Sequence, residues 1–193
     1  MESAPITSVV NALMTRRSVP RFRSDPVPRE LIERALEAAV WSPNHRMTEP
    51  WQFFVLQGEG KQRFAERRRE FTRSTIADPD APEKQKVLEN VYQMAVAAPA
   101  IVVVTAAIHE NLEQREEDYW ATYGAAYAFM LALWSEGVGS YFRTGGLRDY
   151  PPLREFLHLG DERRIIGFVY VGFAETVPQK RRTPAAEKTV WLD

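Results

Sequence analysis

Residues 119–136, YWATYGAAYAFMLALWSE, constrain the fold more than any other stretch of the chain. They are long enough for about five helical turns and apolar around most of the circumference, so a helix here cannot lie on a surface with one face in water. It reads as a central helix wrapped by other elements, and a second subunit can supply part of the wrapping. Gly137 follows as a stop. The run IVVVTAA at 101–107, entered after Pro99, is apolar and mostly β-branched without polar alternation, the pattern of a strand buried on both faces. Further strands are predicted at 51–57 (WQFFVLQ, between Pro50 and Gly58), 138–143 and 164–173. Helices are predicted at 6–17, with Thr7 or Ser8 as cap, at 31–39, at 59–75, through Ala98, and at 152–159. The proline-rich segment 78–86 reads as a surface loop, and Arg67, Arg68 and Arg69, interleaved with Glu66 and Glu70, as a solvated helix face. This order predicts an α+β fold, with helices around one mixed central sheet.

A chain of 193 residues fits a single domain, 1–193. Its 25 basic and 26 acidic residues leave a formal charge of −1, too balanced to draw the whole protein onto nucleic acid or an anionic membrane. An anion site has to be local. The absence of cysteine excludes disulfides, thiolate metal sites and thiol nucleophiles, and three histidines provision metal chemistry poorly. Glu2 stands where a signal peptide wants positive charge. The longest mostly apolar run, 95–108, contains Pro99 and is shorter than the ~20 residues needed to cross a bilayer. A cytoplasmic protein is expected.

Familiar catalytic signatures are missing. The cluster Gly137-Val138-Gly139 has Phe142 where a dinucleotide fingerprint needs its third glycine, and it closes a helix instead of opening one. Gly58-Glu59-Gly60-Lys61 lacks the first glycine and the hydroxyl of a phosphate loop, and no G-x-S-x-G elbow positions a serine. His45 and Glu49 are four apart, but in a loop before Pro50 with no third ligand nearby, so no metal site is expected.

Three basic clusters remain. Arg16-Arg17-Ser18 ends the first helix, where arginines are ordinary capping residues and where anion binding has to come from guanidinium and hydroxyl donors against the helix dipole. Arg143-Thr144-Gly145-Gly146 leaves a strand; it is either a tight turn or a set of backbone N–H groups that closely approach a planar ligand beside a fixed positive charge. Lys180-Arg181-Arg182 follows the last core strand, as a solvated run or as cations that return to a phosphate.

Taken together, RRSVPRF (16–22), SPNHRMTEPWQFFVLQGEG (42–60), FRTGG (142–146) and KRRTP (180–184) resemble, in the right order, the FMN-dependent nitroreductase family, particularly its small single-domain bacterial members. The resemblance implies a homodimer packed through long helices, with FMN sites at the interface. It implies that Arg16, Arg17 and Ser18 hold the FMN phosphate and ribityl side, and that the loop carrying Asn44, His45 and Glu49 reaches the cofactor from the partner chain. His45 corresponds to a histidine of the small members. Phe142, Arg143 and Thr144 match the segment beside the isoalloxazine ring, and Lys180 and Arg182 match the phosphate clamp of the larger members. Two departures bear on donor and substrate choice: Asn44, His45, Arg46 and Met47 replace the serines and asparagine of most larger members, and Glu49 stands where glutamine is frequent.

The resemblance implies NADH or NADPH as electron donor, and a nitroaromatic, quinone or similar small molecule as acceptor, in a ping-pong reaction. Flavin chemistry also accounts for the missing side-chain nucleophile and metal. Arg143, near the pyrimidine end of the ring, would stabilise negative charge on reduced flavin. Other readings are a flavin-dependent dehydrogenase or related chemistry of the same family, a non-catalytic flavin- or anion-binding module, and, last, nucleic-acid binding through Arg67 to Arg69 and Lys180 to Arg182.

Overall fold

The computed structural model describes residues 8–192. Four strands form one sheet in the order β1-β2-β4-β3: β1 Trp51–Leu56, β2 Ala100–Ala107, β3 Gly139–Arg143 and β4 Arg163–Gly172. Six α-helices accompany them: α1 Val9–Thr15, α2 Arg29–Ala39, α3 Gly58–Thr75, α4 Pro82–Val96, α5 Leu112–Ser135 and α6 Pro151–Phe156. The expected α+β class holds. All strand pairs are antiparallel, and the mixed character of the sheet is confined to one isolated parallel bridge, Ser18 with Ser140.

The alternation of β2 divides the core. Ile101 and Val103 pack on one side with Phe64 and Ala65 of α3, Ala95 of α4 and Leu153 of α6. Val102 and Val104 pack on the other with Ile32, Ala35 and Ala39 of α2 and Ala125, Phe129 and Leu133 of α5. This is the period-2 consequence of a strand covered on both faces, as its composition predicts. Phe64 meets Phe168 of β4 at 5.3 Å between ring centroids, a tilted pair that adds about 0.5–1.5 kcal/mol to burial.

The structure moves several boundaries. Ser8 caps α1, accepting from the Asn11 amide at 3.1 Å, while Ile6 and Thr7 lie outside the described residues. α5 begins seven residues before Tyr119, because Asn111 caps it through the Gln114 amide. The added stretch, LEQREED, is charged and leaves no apolar stripe to read. The surface loop expected over 78–86 is cut short because Pro82 opens α4, in the one helical turn where its missing N–H costs nothing.

The expected solvated face at 67–69 holds only in part. Arg67 pairs with Glu70 at 2.8 Å and Arg69 stacks on Tyr92, but Arg68 turns inward, donating to the Tyr170 hydroxyl at 2.9 Å. Among the described residues no helix is long and apolar enough to cross a membrane.

Candidate functional site

Two glycines let residues 18–22 lie against the sheet. A Cβ at Gly139 would stand 2.8 Å from Val19 Cγ2, and one at Gly172 would stand 2.9 Å from Phe22 Cβ. With hydrogen in those places, Val19 N–H donates to the Ser140 carbonyl at 2.9 Å, and Phe22 forms an antiparallel bridge with Ala174. The segment therefore continues the sheet beside β3, and it brings Arg16-Arg17-Ser18 to the start of the strand that ends in Phe142-Arg143. Two of the three basic clusters thus lie at the two ends of one strand.

Their polar atoms are incompletely used. Arg17 Nη1 donates to the Met14 and Arg16 carbonyls at 2.7 and 2.9 Å, closing the end of α1 as a capping arginine does. Its Nε, the Arg16 Nε and the Ser140 hydroxyl are buried without a hydrogen-bond partner. Buried polar atoms ordinarily have partners, and leaving one without costs about 1–3 kcal/mol. Three such atoms lie on neighbouring positions here, and a fourth, Arg67 Nε, lies apart in α3. Arg16 also stacks over Tyr127 of α5, 5.6 Å from its ring centroid. At the far end of β3, Gly145 has φ +123°, and a Cβ there would meet nothing within 4 Å, so this backbone faces open space.

The side chains of the strand end divide between the faces. Phe142 lies on the α5 side, edge-on to Tyr123, and packs over Gly167, where a Cβ would collide with its ring. Arg143 lies on the α3 side, over the rings of Tyr141 and Tyr170 at 5.0 and 5.6 Å. Arg16 and Arg143 thus serve opposite faces and share only the strand between them.

Residues 44–49 form a separate feature. Arg46, Met47 and Glu49 all have positive φ, which non-glycine residues adopt at a cost. The Asn44 side chain holds the turn, accepting from the Glu49 amide at 3.0 Å. Two contacts to α5 pin it: His45 Nδ1 with Glu117 at 2.7 Å, and the Thr48 hydroxyl donating to Asp118 at 2.6 Å. These anchors lie ten and nine residues before Tyr127, a rise of about 14–15 Å along α5. Within one chain, Asn44, His45 and Glu49 are therefore not gathered with the arginine triplet. Lys180 and Arg182 are exposed, and among the described residues Arg182 donates only to the Arg181 carbonyl, at 3.3 Å.

Sequence reasoning missed Ser140, Gly139 and the Arg68–Tyr170 contact. A serine and a glycine opening an otherwise apolar strand are the only signal for the first two.

The model of the nitroreductase family matches residues 13–173. YdjA of Escherichia coli (strain K12), an NAD(P)H nitroreductase by name, is 32% identical over 162 residues, covering 83% of this chain and 85% of its own. A solved nitroreductase-like family protein from Bacillus cereus superposes with a TM-score of 0.83 at 30% identity, over 99% of both chains. A mutant of the FMN and NADPH-dependent nitroreductase NfnB from Sphigopyxis sp. strain HMH shares the fold, with a TM-score of 0.73 at 22% identity over 96% of this chain and 99% of that one.

Proposed function

The chain belongs to the nitroreductase family, and from that premise we propose that it is a flavin oxidoreductase that binds FMN along the seam between residues 16–18 and β3. The observation that carries this reading is the set of partnerless buried atoms there, the Arg16 and Arg17 Nε and the Ser140 hydroxyl. Charged donors at the triplet suit a phosphate, and the open backbone at Gly145 suits the edge of a planar ring. The named nitroreductase relatives support the same reading.

When bound, FMN supplies the electron chemistry, taking a hydride from NADH or NADPH and passing electrons to a nitroaromatic, quinone or similar acceptor in a ping-pong sequence. The chain's own residues bind and orient. Arg16, Arg17 and the Ser18 hydroxyl hold the phosphate and ribityl side, and the backbone from Phe142 to Gly145 lines the ring edge. The six residues from Ala174 to Lys180 span at most about 20 Å, enough for Lys180 and Arg182 to double back towards Arg17 as further phosphate cations. Asn44, His45 and Glu49, set apart along α5, serve the site of a second copy in a homodimer. Their strained turn, clamped by Glu117 and Asp118, presents them without reordering on binding.

Purified protein is expected to be yellow, to bleach anaerobically with NADH or NADPH, and to regain colour on adding a nitroaromatic or quinone. A colourless protein that does not take up added FMN overturns the reading. Flavin uptake without NAD(P)H oxidation would leave a binding module in place of the enzyme.

A further inference from the structure

On the α3 side of the sheet two arginines gather at one tyrosine: the guanidiniums of Arg68 and Arg143 each lie 5.6 Å from the Tyr170 ring centroid. Tyr170 is 2% exposed, and its hydroxyl accepts from Arg68 Nη1 at 2.9 Å. A phenol that has accepted still carries its own proton, and among the described residues that proton reaches no acceptor. Arg68 directs Nη2 to the Met94 sulfur at 3.8 Å, a weak acceptor. Arg143 stands over the rings of Tyr170 and Tyr141. Neither arginine is in an ion pair among the described residues, whereas nearby Arg67 and Arg73 are both paired.

This arrangement is electrostatically one-sided. Burial pushes the Arg68 guanidinium below its ordinary value, and the like charge of Arg143 acts in the same direction. Burial pushes the Tyr170 phenol up, while the two arginines oppose that shift by favouring negative charge. Two cations beside one buried phenol, neither of them in an ion pair among the described residues, are the complement of an oxyanion. Arg68 and Arg143 are half-buried residues, each keeping part of its surface in solvent.

We propose that Arg68, Arg143 and the Tyr170 hydroxyl form a binding site for a compact oxyanion, the carboxylate of a small organic acid or a phosphoryl group. The flat guanidinium fork matches two oxygens of either group, and the phenol supplies a donor that fixes its orientation. The site shares Arg143 with the segment proposed to line the flavin, and the two readings are told apart by readout: flavin uptake is read by absorbance and oxyanion binding by heat, and either can fail while the other holds.

The test is calorimetric titration of the full-length protein, as purified and at low ionic strength, with benzoate and separately with inorganic phosphate. Wild type is compared with R143M and Y170F; Y170F keeps the ring, and circular dichroism verifies folding of both variants. The expected result is saturable binding of at least one probe, about tenfold weaker in each variant, with R143K intermediate because it restores charge without the fork. The tighter probe identifies the source of the oxyanion. Absence of saturable binding for both probes, or binding that survives either variant unchanged, overturns the proposal and leaves the arginines as aromatic-stacking residues only.

Discussion

Arg17 and Arg16 divide two roles that a basic helix end can play. Arg17 closes the last turn of α1 with Nη1, whereas Arg16 stacks on Tyr127 and leaves its Nε without a partner. Arg16 is therefore the residue whose loss reports on ligand binding with the least damage to the helix. Arg16→Ala is expected to weaken FMN retention by about 1.5–3 kcal/mol, the worth of one charge-assisted contact, which fluorescence titration of the apoprotein measures. Unchanged affinity would show that the triplet has been assigned wrongly. At this scale the sequence was informative where chemistry sits in a short run. The triplet and the strand-end motif stand out as consecutive residues, and the sheet places them at the two ends of one strand. Arg68 was misread because its partner, Tyr170, lies in a different element across the core, and nothing in a run of arginines and glutamates tells which one turns inward.

At the scale of elements, periodicity located β2 and β4 because burial on both faces leaves an unbroken apolar record. It failed at the front of α5 and at Pro82, where capping and helix-entry chemistry replace hydrophobic pattern. Gly139 shows how an element is shaped to make the site. With Val19 Cγ2 2.8 Å and the Gly172 carbonyl 3.1 Å from where a side chain would begin, Gly139→Ala must push residues 18–20 off the strand. Overpacking of this kind costs about 1–3 kcal/mol. The expected outcome is a lower melting temperature together with weaker FMN retention. A variant that melts lower but holds FMN as well as wild type would separate the seam from the binding site.

The whole molecule leaves an apolar surface that one chain does not cover. Val9, Val10 and Met14 of α1 are 64–71% exposed, and Trp41, Trp120 and Trp191 are also in solvent. The apolar residues that predicted α1, Val9, Val10, Leu13 and Met14, stay exposed, and the helix buries only Ala12 within its own chain. An apolar helix face left in solvent is what an interface covers, so analytical ultracentrifugation is expected to find twice the monomer mass at micromolar concentration, and a monomer there would contradict the dimer reading. The fold class was legible because it follows from which segments must be buried, whereas the pairing of distant segments is decided by packing that no single stretch encodes. The bridges of Ser18 to Ser140 and Phe22 to Ala174 join parts of the chain roughly 120 and 150 residues apart. Contacts that remote form after local ones, because loop closure has to precede them. During synthesis the amino-terminal arginines thus emerge from the ribosome long before the strand that receives them, and a chain released short of Ser140 carries the triplet without that strand.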